Sequence, residues 1–562
     1  MRKFLYGALS ATLVLSPISS VLAAEQTTVS SQAEIATEET TITLSDEKIL
    51  VDGTAAKTDT KQAVYTSHDI IYYQDKDTYT SGNPYGEGTD EDKHAKEEAD
   101  KHTVVNITKP GTYRISGKLS YGQIFVNVGE EETDQVTLIL DNVDINCTVA
   151  PAVLFYNVYE CDADRTTETA TYTVDTSKAG ARVIIADDST NTVVGSYVAR
   201  IYKDNAEQKK LHKYDAAFYS RMSMEIDGET KGNGVLNITA ENEGLDTERH
   251  LTINGGKINI QSGDDGINVN EDGISVFTMN DGYLNIYAGN GAEGDGIDSN
   301  GWNVINGGTV ISLANPNSPD GGIDSDMGSF INGGTVIGAG NMYDPLEDNS
   351  KQLFMSLQLT KSTDQLLAVL DENDQTVFAY DFPHDYTYIS FSTPSLKEGT
   401  YQVYQGGTIT GTQEDGYYTT ITSYLKGTQL HHGGNSTPFS PNGERPEGMQ
   451  NGEMPALPED MQNGERPELP TDMQNGERPE LPEGMQNGER PELPADMQNG
   501  EVPTPPEGAQ NGNMMGKPFS MISSSNSESY DFILNQTSKS FTNISGSQVN
   551  DETTSSTTQT ES

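Results

Sequence analysis

Four short acidic turns carry the side chains of this chain best suited to chemistry: ENEGLDTE (241–248), GDDGINVN (263–270), EGDGIDSN (293–300) and PDGGIDSD (319–326). Each centres on an apolar residue, Leu245, Ile267, Ile297 or Ile323, which follows a glycine and precedes Asp246, Asn268, Asp298 or Asp324. Carboxylates, amides and backbone carbonyls form the donor set of a hard divalent cation, and calcium takes about six to eight such oxygens. The glycines permit unusual backbone angles that would aim carbonyls at an ion. Residues 258–350 hold fourteen Asp and Glu but no Lys, Arg, His or Cys, so the chemistry is that of calcium rather than zinc. The candidate ligands are Glu243, Asp246, Asp264, Asp265, Asn268, Asp295, Asp298, Asp320, Asp324 and Asp326.

The element that positions these turns is a repeat. The tetrapeptides INGG (253–256), MNDG (279–282), INGG (305–308) and INGG (331–334) start 26 residues apart, and each is followed by a β-type stretch, KINI, YLNI, TVIS or TVIG. A fixed period of this size, rich in Gly, Asn, Ile and Val and without a helical apolar stripe, predicts coils stacked in a β-helix. Three of the acidic turns precede their tetrapeptide by eight residues; the second precedes it by twelve, which predicts a bulge or longer loop after Asn270. Stacked coils lie about 4.8 Å apart. Asp298 and Asp324, one period apart, should then lie above one another and repel by roughly 3 kcal/mol at an effective dielectric near 20. Protons or cations must offset that cost. The asparagine column, Asn254, Asn280, Asn306 and Asn332, is read as structural, its amides bonding coil to coil.

Around the repeat the chain divides by composition. Residues 1–24 have the charged start, apolar run and small-residue cleavage site of a secretory signal, and the apolar run is too short to span a bilayer. Residues 25–45 read as a flexible leader, and 100–342 as the β-helix, with a Thr- and Asp-rich insertion near 160–180. DAAFYS (215–220) falls where an earlier coil's turn should be, Phe218 lying 27 residues before Leu245. Short alternating strands over 351–432, with 530–545 as a candidate completing segment, predict a small antiparallel β-sandwich that caps the open helix end. Residues 440–515 repeat NGERPELPTDMQ and its variants every twelve residues, a proline density that predicts a disordered spacer, and 546–562 read as a disordered tail. The fold class is therefore all-β: a right-handed parallel β-helix, an antiparallel β-sandwich or cap, and a disordered proline-rich repeat.

A formal net charge of −51 argues against nucleic acid as a partner and against direct membrane insertion or binding to an anionic surface. The expected product is secreted and extracellular, its oligomeric state open with a monomer favoured. Cys147 and Cys161 could be bridged in such a compartment, but two thiols make no framework.

For catalysis the signals are thin. Acid pairs such as Asp264–Asp265 abound, so a pair of carboxylates alone specifies no glycosidase. A calcium-dependent lyase acting by β-elimination would need an Arg or Lys base. The acidic segment supplies none; Arg249 and Lys257 lie at its edge, and Arg182, Arg200, Arg221 and Lys231 precede it. No catalytic residue is assigned. Trp302, the single tryptophan, could stack on a sugar or fill the core, and Tyr283 and Tyr287 are weaker candidates for sugar stacking.

DAAFYS, GDDGINVN, EGDGIDSNGWNVINGGTVIS and DGGIDSDMGSFINGGTVIGAGN resemble the secreted bacterial carbohydrate-binding domain-containing β-helix proteins, and KPGTYRISGKLSYGQIFVNV and LILDNVDI match their opening coils. The resemblance spans about 100–430. It implies an architecture related to pectate lyases, calcium as the cofactor, and binding of cellulose or polygalacturonate, the acidic polysaccharide of pectin. It carries over no catalytic set. The function so read is calcium-dependent binding of a polysaccharide, with a calcium-dependent lyase and a surface or matrix adhesin holding structural calcium as alternatives.

Overall fold

In the computed structural model, residues 39–72, 94–201, 212–289, 294–363, 365–433 and 529–546 are described. The segment 1–24 read as a signal, the proline-rich repeat and the tail beyond 546 lie outside these residues. The fold is all-β, with one four-residue helix, Lys96–Ala99, among the described residues. No described helix is long and apolar enough to cross a membrane.

The repeat builds three ladders of parallel strands. The first runs Thr103–Ile107, Gly122–Asn127, Val153–Asn157, Ala216–Ser220, Glu243–Thr247, Ile267–Val269 and Ile297–Ser299. The second runs from Gly111–Leu119 through Val136–Asn146, Ala181–Ile185, Met224–Gly228, Leu251–Ile253, Val276–Met279 and Trp302–Ile305 to Gly328–Ile331. The third climbs through Thr190–Gly195, Val235–Ala240, Lys257–Gln261, Tyr283–Tyr287, Thr309–Leu313 and Thr335–Gly340. The sequence period is the register of these ladders: Ile253 pairs with Met279, which pairs with Ile305, which pairs with Ile331. Between the ladders lies one apolar core built from alternate residues such as Ile226, Leu236, Ile258, Leu284, Ile305 and Val310. The extra residues after Asn270 form a turn closed by the Ser275 N–H on the Glu271 carbonyl.

Each tetrapeptide ends on a glycine with positive φ (Gly256 85°, Gly282 97°, Gly308 75°, Gly334 85°), a conformation that other residues rarely adopt. The preceding asparagines form a continuous amide ladder. Asn280 Nδ2 donates to Asn254 Oδ1 (2.8 Å), Asn306 to Asn280 (2.9 Å) and Asn332 to Asn306 (2.9 Å). The column is structural, as its chemistry predicts.

The ends of the stack depart from the parallel pattern, so the largest sheet is mixed. Thr40–Leu44 adds in parallel to Gly111–Leu119 and pairs antiparallel with Leu50–Val51. The leader expected over 25–45 thus ends in a strand, because Ile42 and Leu44 alternate onto the core. Val64–Ser67 closes the first ladder antiparallel, and Tyr386–Ser392 closes the third antiparallel against Thr335–Gly340. The strands from Met355–Thr363 to Tyr417–His431 pair mainly antiparallel, and Phe532–Leu534 and Ser540–Gly546 return to join them. This C-terminal unit does more than close an edge: its apolar core includes Ile311, Leu313, Ile337 and Ala339, so it also covers the outer face of the last two coils.

Candidate metal centre

The first ladder sets the acidic residues in columns. Asp246 pairs with Asn268, Asn268 with Asp298, and a bridge between Ile297 and Ile323 places Asp324 one step further on. A second column, Glu243, Asp265 and Asp295, runs beside it, held where Gly244 N–H donates to Asp265 O (2.9 Å) and Gly266 N–H to Asp295 O (3.0 Å). The glycines between the columns are needed for closeness rather than for unusual angles. None of Gly244, Gly266, Gly296 and Gly322 has positive φ. A Cβ on Gly244 would lie 2.3 Å from Ile260 Cγ2, on Gly266 2.2 Å from Ile286 Cγ2, and on Gly296 2.1 Å from Ser312 Oγ. The acidic wall therefore rests directly on the third ladder's inward side chains.

Two clusters result. In the outer one, Asp295, Asp298 and Asp324 each offer a carboxylate oxygen, and all three oxygens lie within 4.8 Å of one another. All three residues are half-buried. Burial, then the Asp324 charge, pushes Asp295 up to about 9 and Asp298 up to about 7. Asp324 itself is raised by burial, and the adjacent Asp344 is pushed up to about 8 by burial and then by Asp324. Backbone donors orient the group: Gly321 N–H donates to Asp295 Oδ1 (2.5 Å), Asp295 N–H to Asp265 Oδ1 (2.7 Å) and Gly294 N–H to Asp320 Oδ2 (2.6 Å).

The inner cluster is Asp215, Glu243 and Asp246, again with oxygens within 4.8 Å, and all three residues are buried. Asp246 is fully enclosed, the Asp215 carboxyl lies beside its own, no other donor among the described residues reaches its oxygens, and burial followed by the Glu243 charge holds it well above the usual carboxylate range. Asn268 stands between the clusters. Its Nδ2 donates to Glu243 Oε1 (3.1 Å), while its buried Oδ1 accepts no hydrogen bond.

Of the ten predicted ligands, the structure thus brings Asp295, Asp298 and Asp324 together, and separately Glu243 and Asp246. Asn268 links the two groups, and Asp265 and Asp320 fix the turns. Asp264 is half-buried at the edge, and Asp326 is exposed. Sequence reasoning missed Asp215 and Asp344. Asp215 opens DAAFYS, but the register sets Ala216 opposite Glu243 and Tyr219 opposite Asp246, so the offset points to its neighbours and not to Asp215 itself. Asp344 lies beyond the last tetrapeptide, where the period gives no signal.

Of the three predicted sugar-stacking residues, Trp302 and Tyr283 are engaged within the fold, and Tyr287 is half-buried at the third ladder. Trp302 is 9% exposed. It packs with Val276, Val304 and Phe330, and Ala170 and Val174 of the insertion lie over that group. Tyr172 of the same insertion stacks on Phe330 at 4.5 Å. Tyr283 is half-buried: its hydroxyl donates to Asp415 (2.8 Å), and Lys257 Nζ sits 4.3 Å from its ring centre. Cys147 and Cys161 are both free thiols.

The model of the carbohydrate-binding domain-containing proteins matches residues 101–415, more than half of the sequence, and the chain belongs to that family. A carbohydrate-binding domain-containing protein of Acetivibrio thermocellus is 32% identical over 160 residues, a match that spans 28% of this chain and 45% of that relative. Among solved structures, the polysaccharide lyase-like protein from C. thermocellum, as a gadolinium derivative, is 21% identical. That comparison covers 53% of this chain and 93% of that one, with a TM-score of 0.30.

Proposed function

We propose that this is an exported, calcium-dependent polysaccharide-binding protein whose acidic columns seat the cation on one wall of a right-handed parallel β-helix. The three parallel ladders, each gaining one strand per coil and the second advancing by 26 residues from Ile253 to Met279, Ile305 and Ile331, support a coiled winding. Family membership supports carbohydrate as the ligand.

The observation that carries the cation is the convergence of Asp295, Asp298 and Asp324. Three carboxylates this close cannot all stay charged without a counter-ion. The alternative is proton sharing, which their raised titration already expresses. The donor set fits calcium, since oxygen is the only ligand type the two clusters offer. Asp246 and Asn268 add buried oxygens that accept no hydrogen bond, an arrangement that is costly unless a ligand completes it. Calcium held there would neutralise the wall and could bridge to a carboxylate-bearing sugar, which a chain of net charge −51 would otherwise repel.

Binding is favoured over cleavage because four of the six candidate bases form ion pairs. Arg249 pairs with Glu271 (2.8 Å), Arg182 with Glu225 and Asp227, Lys231 with Asp188, and Lys257 with Glu414 (2.7 Å). Retention on immobilised polygalacturonate with calcium and with chelator tests the proposal. Retention should need calcium and should fail in Asp298→Asn/Asp324→Asn; equal retention in chelator overturns the bridging reading.

A further inference from the structure

The C-terminal unit ends partway along the outer face of the third ladder, and that step makes a cleft of about 490 Å³, within the range of about 300–1,000 Å³ typical of small-molecule sites. On the exposed coils the outward residues are polar. Asn237 pairs with Asn259 and Asn259 with Asn285, one amide per coil. At the next coil the same position is Ile311, covered by the C-terminal apolar core. Gln261 and Tyr287 continue the cleft floor, and His384 forms part of the facing wall.

The cleft differs from the acidic wall in charge. No Asp, Glu, Lys or Arg lines it among the described residues, in a chain whose net charge is −51. Its groups are amides, which both donate and accept, and aromatic rings. These are the groups that match sugar hydroxyls and the apolar face of a pyranose ring. The amide ladder is also incomplete. Asn259 Nδ2 donates to Asn237 Oδ1 (2.9 Å), but Asn285, 5% exposed, has an Oδ1 that accepts no hydrogen bond. A buried acceptor left open is costly. A hydroxyl donor in the cleft would satisfy it once the Asn285 amide turns toward the cleft.

We propose that this cleft is a second glycan subsite, which takes an uncharged pyranose segment through the Asn237–Asn259–Asn285 ladder, Gln261 and Tyr287, and needs no cation. It rests on the carbohydrate-binding reading but differs from the bridging site in place and in ion dependence. The coil spacing of about 4.8 Å lets successive amides meet successive hydroxyl-bearing rings of an extended chain laid across the strands.

The test is titration calorimetry of the full chain in EDTA with cellohexaose and with mannohexaose, beside calcium-dependent retention on polygalacturonate. At least one hexasaccharide should bind in EDTA. Asn259→Ala/Gln261→Ala and Tyr287→Ala should each weaken it about tenfold or more, as expected for lost hydrogen bonds or stacking, and leave polygalacturonate retention unchanged. Should Tyr287→Ala melt early, the amide pair decides, because both positions reach the surface. No binding of either hexasaccharide, or equal affinity in the variants, overturns the subsite. If polygalacturonate is still retained in calcium, that failure is the cleft's alone; if no glycan binds at all, the carbohydrate-binding reading fails with it.

Discussion

Two columns climb the same stack, one rung per coil. Asn254, Asn280, Asn306 and Asn332 stand on one corner; Asp246, Asn268, Asp298 and Asp324 stand on a wall. Each asparagine amide carries both a donor and an acceptor, so the ladder satisfies itself along its length. A carboxylate only accepts, so stacked copies cannot partner one another, and each added rung raises the cost. Parallel stacking repeats whatever a position holds, and the chemistry of that group decides whether the column closes on itself or requires something from outside. Asn268 shows the same rule at one position: a neutral rung divides the acids into an inner and an outer cluster.

The largest expected effect separates the columns by ion. Calcium at about a hundred times its dissociation constant should stabilise the chain by about 2.7 kcal/mol. Asp298→Asn/Asp324→Asn should abolish most of that gain and Asn306→Ala none of it, as read by thermal melts with and without EDTA.

Next in size is pH dependence. Asp298, Asp344 and Asp295 titrate at about 7, about 8 and about 9 in the fold, against the ordinary 3.8. The folded chain therefore holds more protons than the unfolded one between those values, and stability falls as pH rises through that window. In EDTA the melting temperature should decline steadily from mildly acidic to mildly alkaline buffer, and saturating calcium should flatten the decline. A flat profile in EDTA would break the contrast between the columns.

Smaller effects convert one column into the other. Asn280→Asp with Asn306→Asp places stacked like charges on the exposed ladder and should cost about 1–2 kcal/mol, because a hydrogen bond is replaced by repulsion. Added calcium should recover part of the loss. Asn306→Ala removes one donor and one acceptor and should cost about 1 kcal/mol in chemical denaturation, with no change in ion dependence.

Much of this was legible in the sequence because the period is the register. The stacking of Asp298 over Asp324, the bulge after Asn270 and the amide ladder all follow from counting residues. What the count could not give depends on segments that fold back from elsewhere. Trp302 is hidden by Ala170 and Val174, and Tyr283 by the hairpin residues Glu414 and Asp415. The glycines of the acidic turns were legible as necessary but not why, since the reason is the side chain of the neighbouring ladder rather than the turn itself.

Strands of opposite direction, Val64–Ser67 and Tyr386–Ser392, finish the first and third ladders at opposite ends of the stack. Along the ladders an interior coil pairs only with the coils directly before and after it. Duplicating one 26-residue unit between these stops would lengthen the stack by a rung and leave both terminal pairings intact. The number of acidic seats is thus a quantity that tandem duplication can dial up or down without redesigning the molecule.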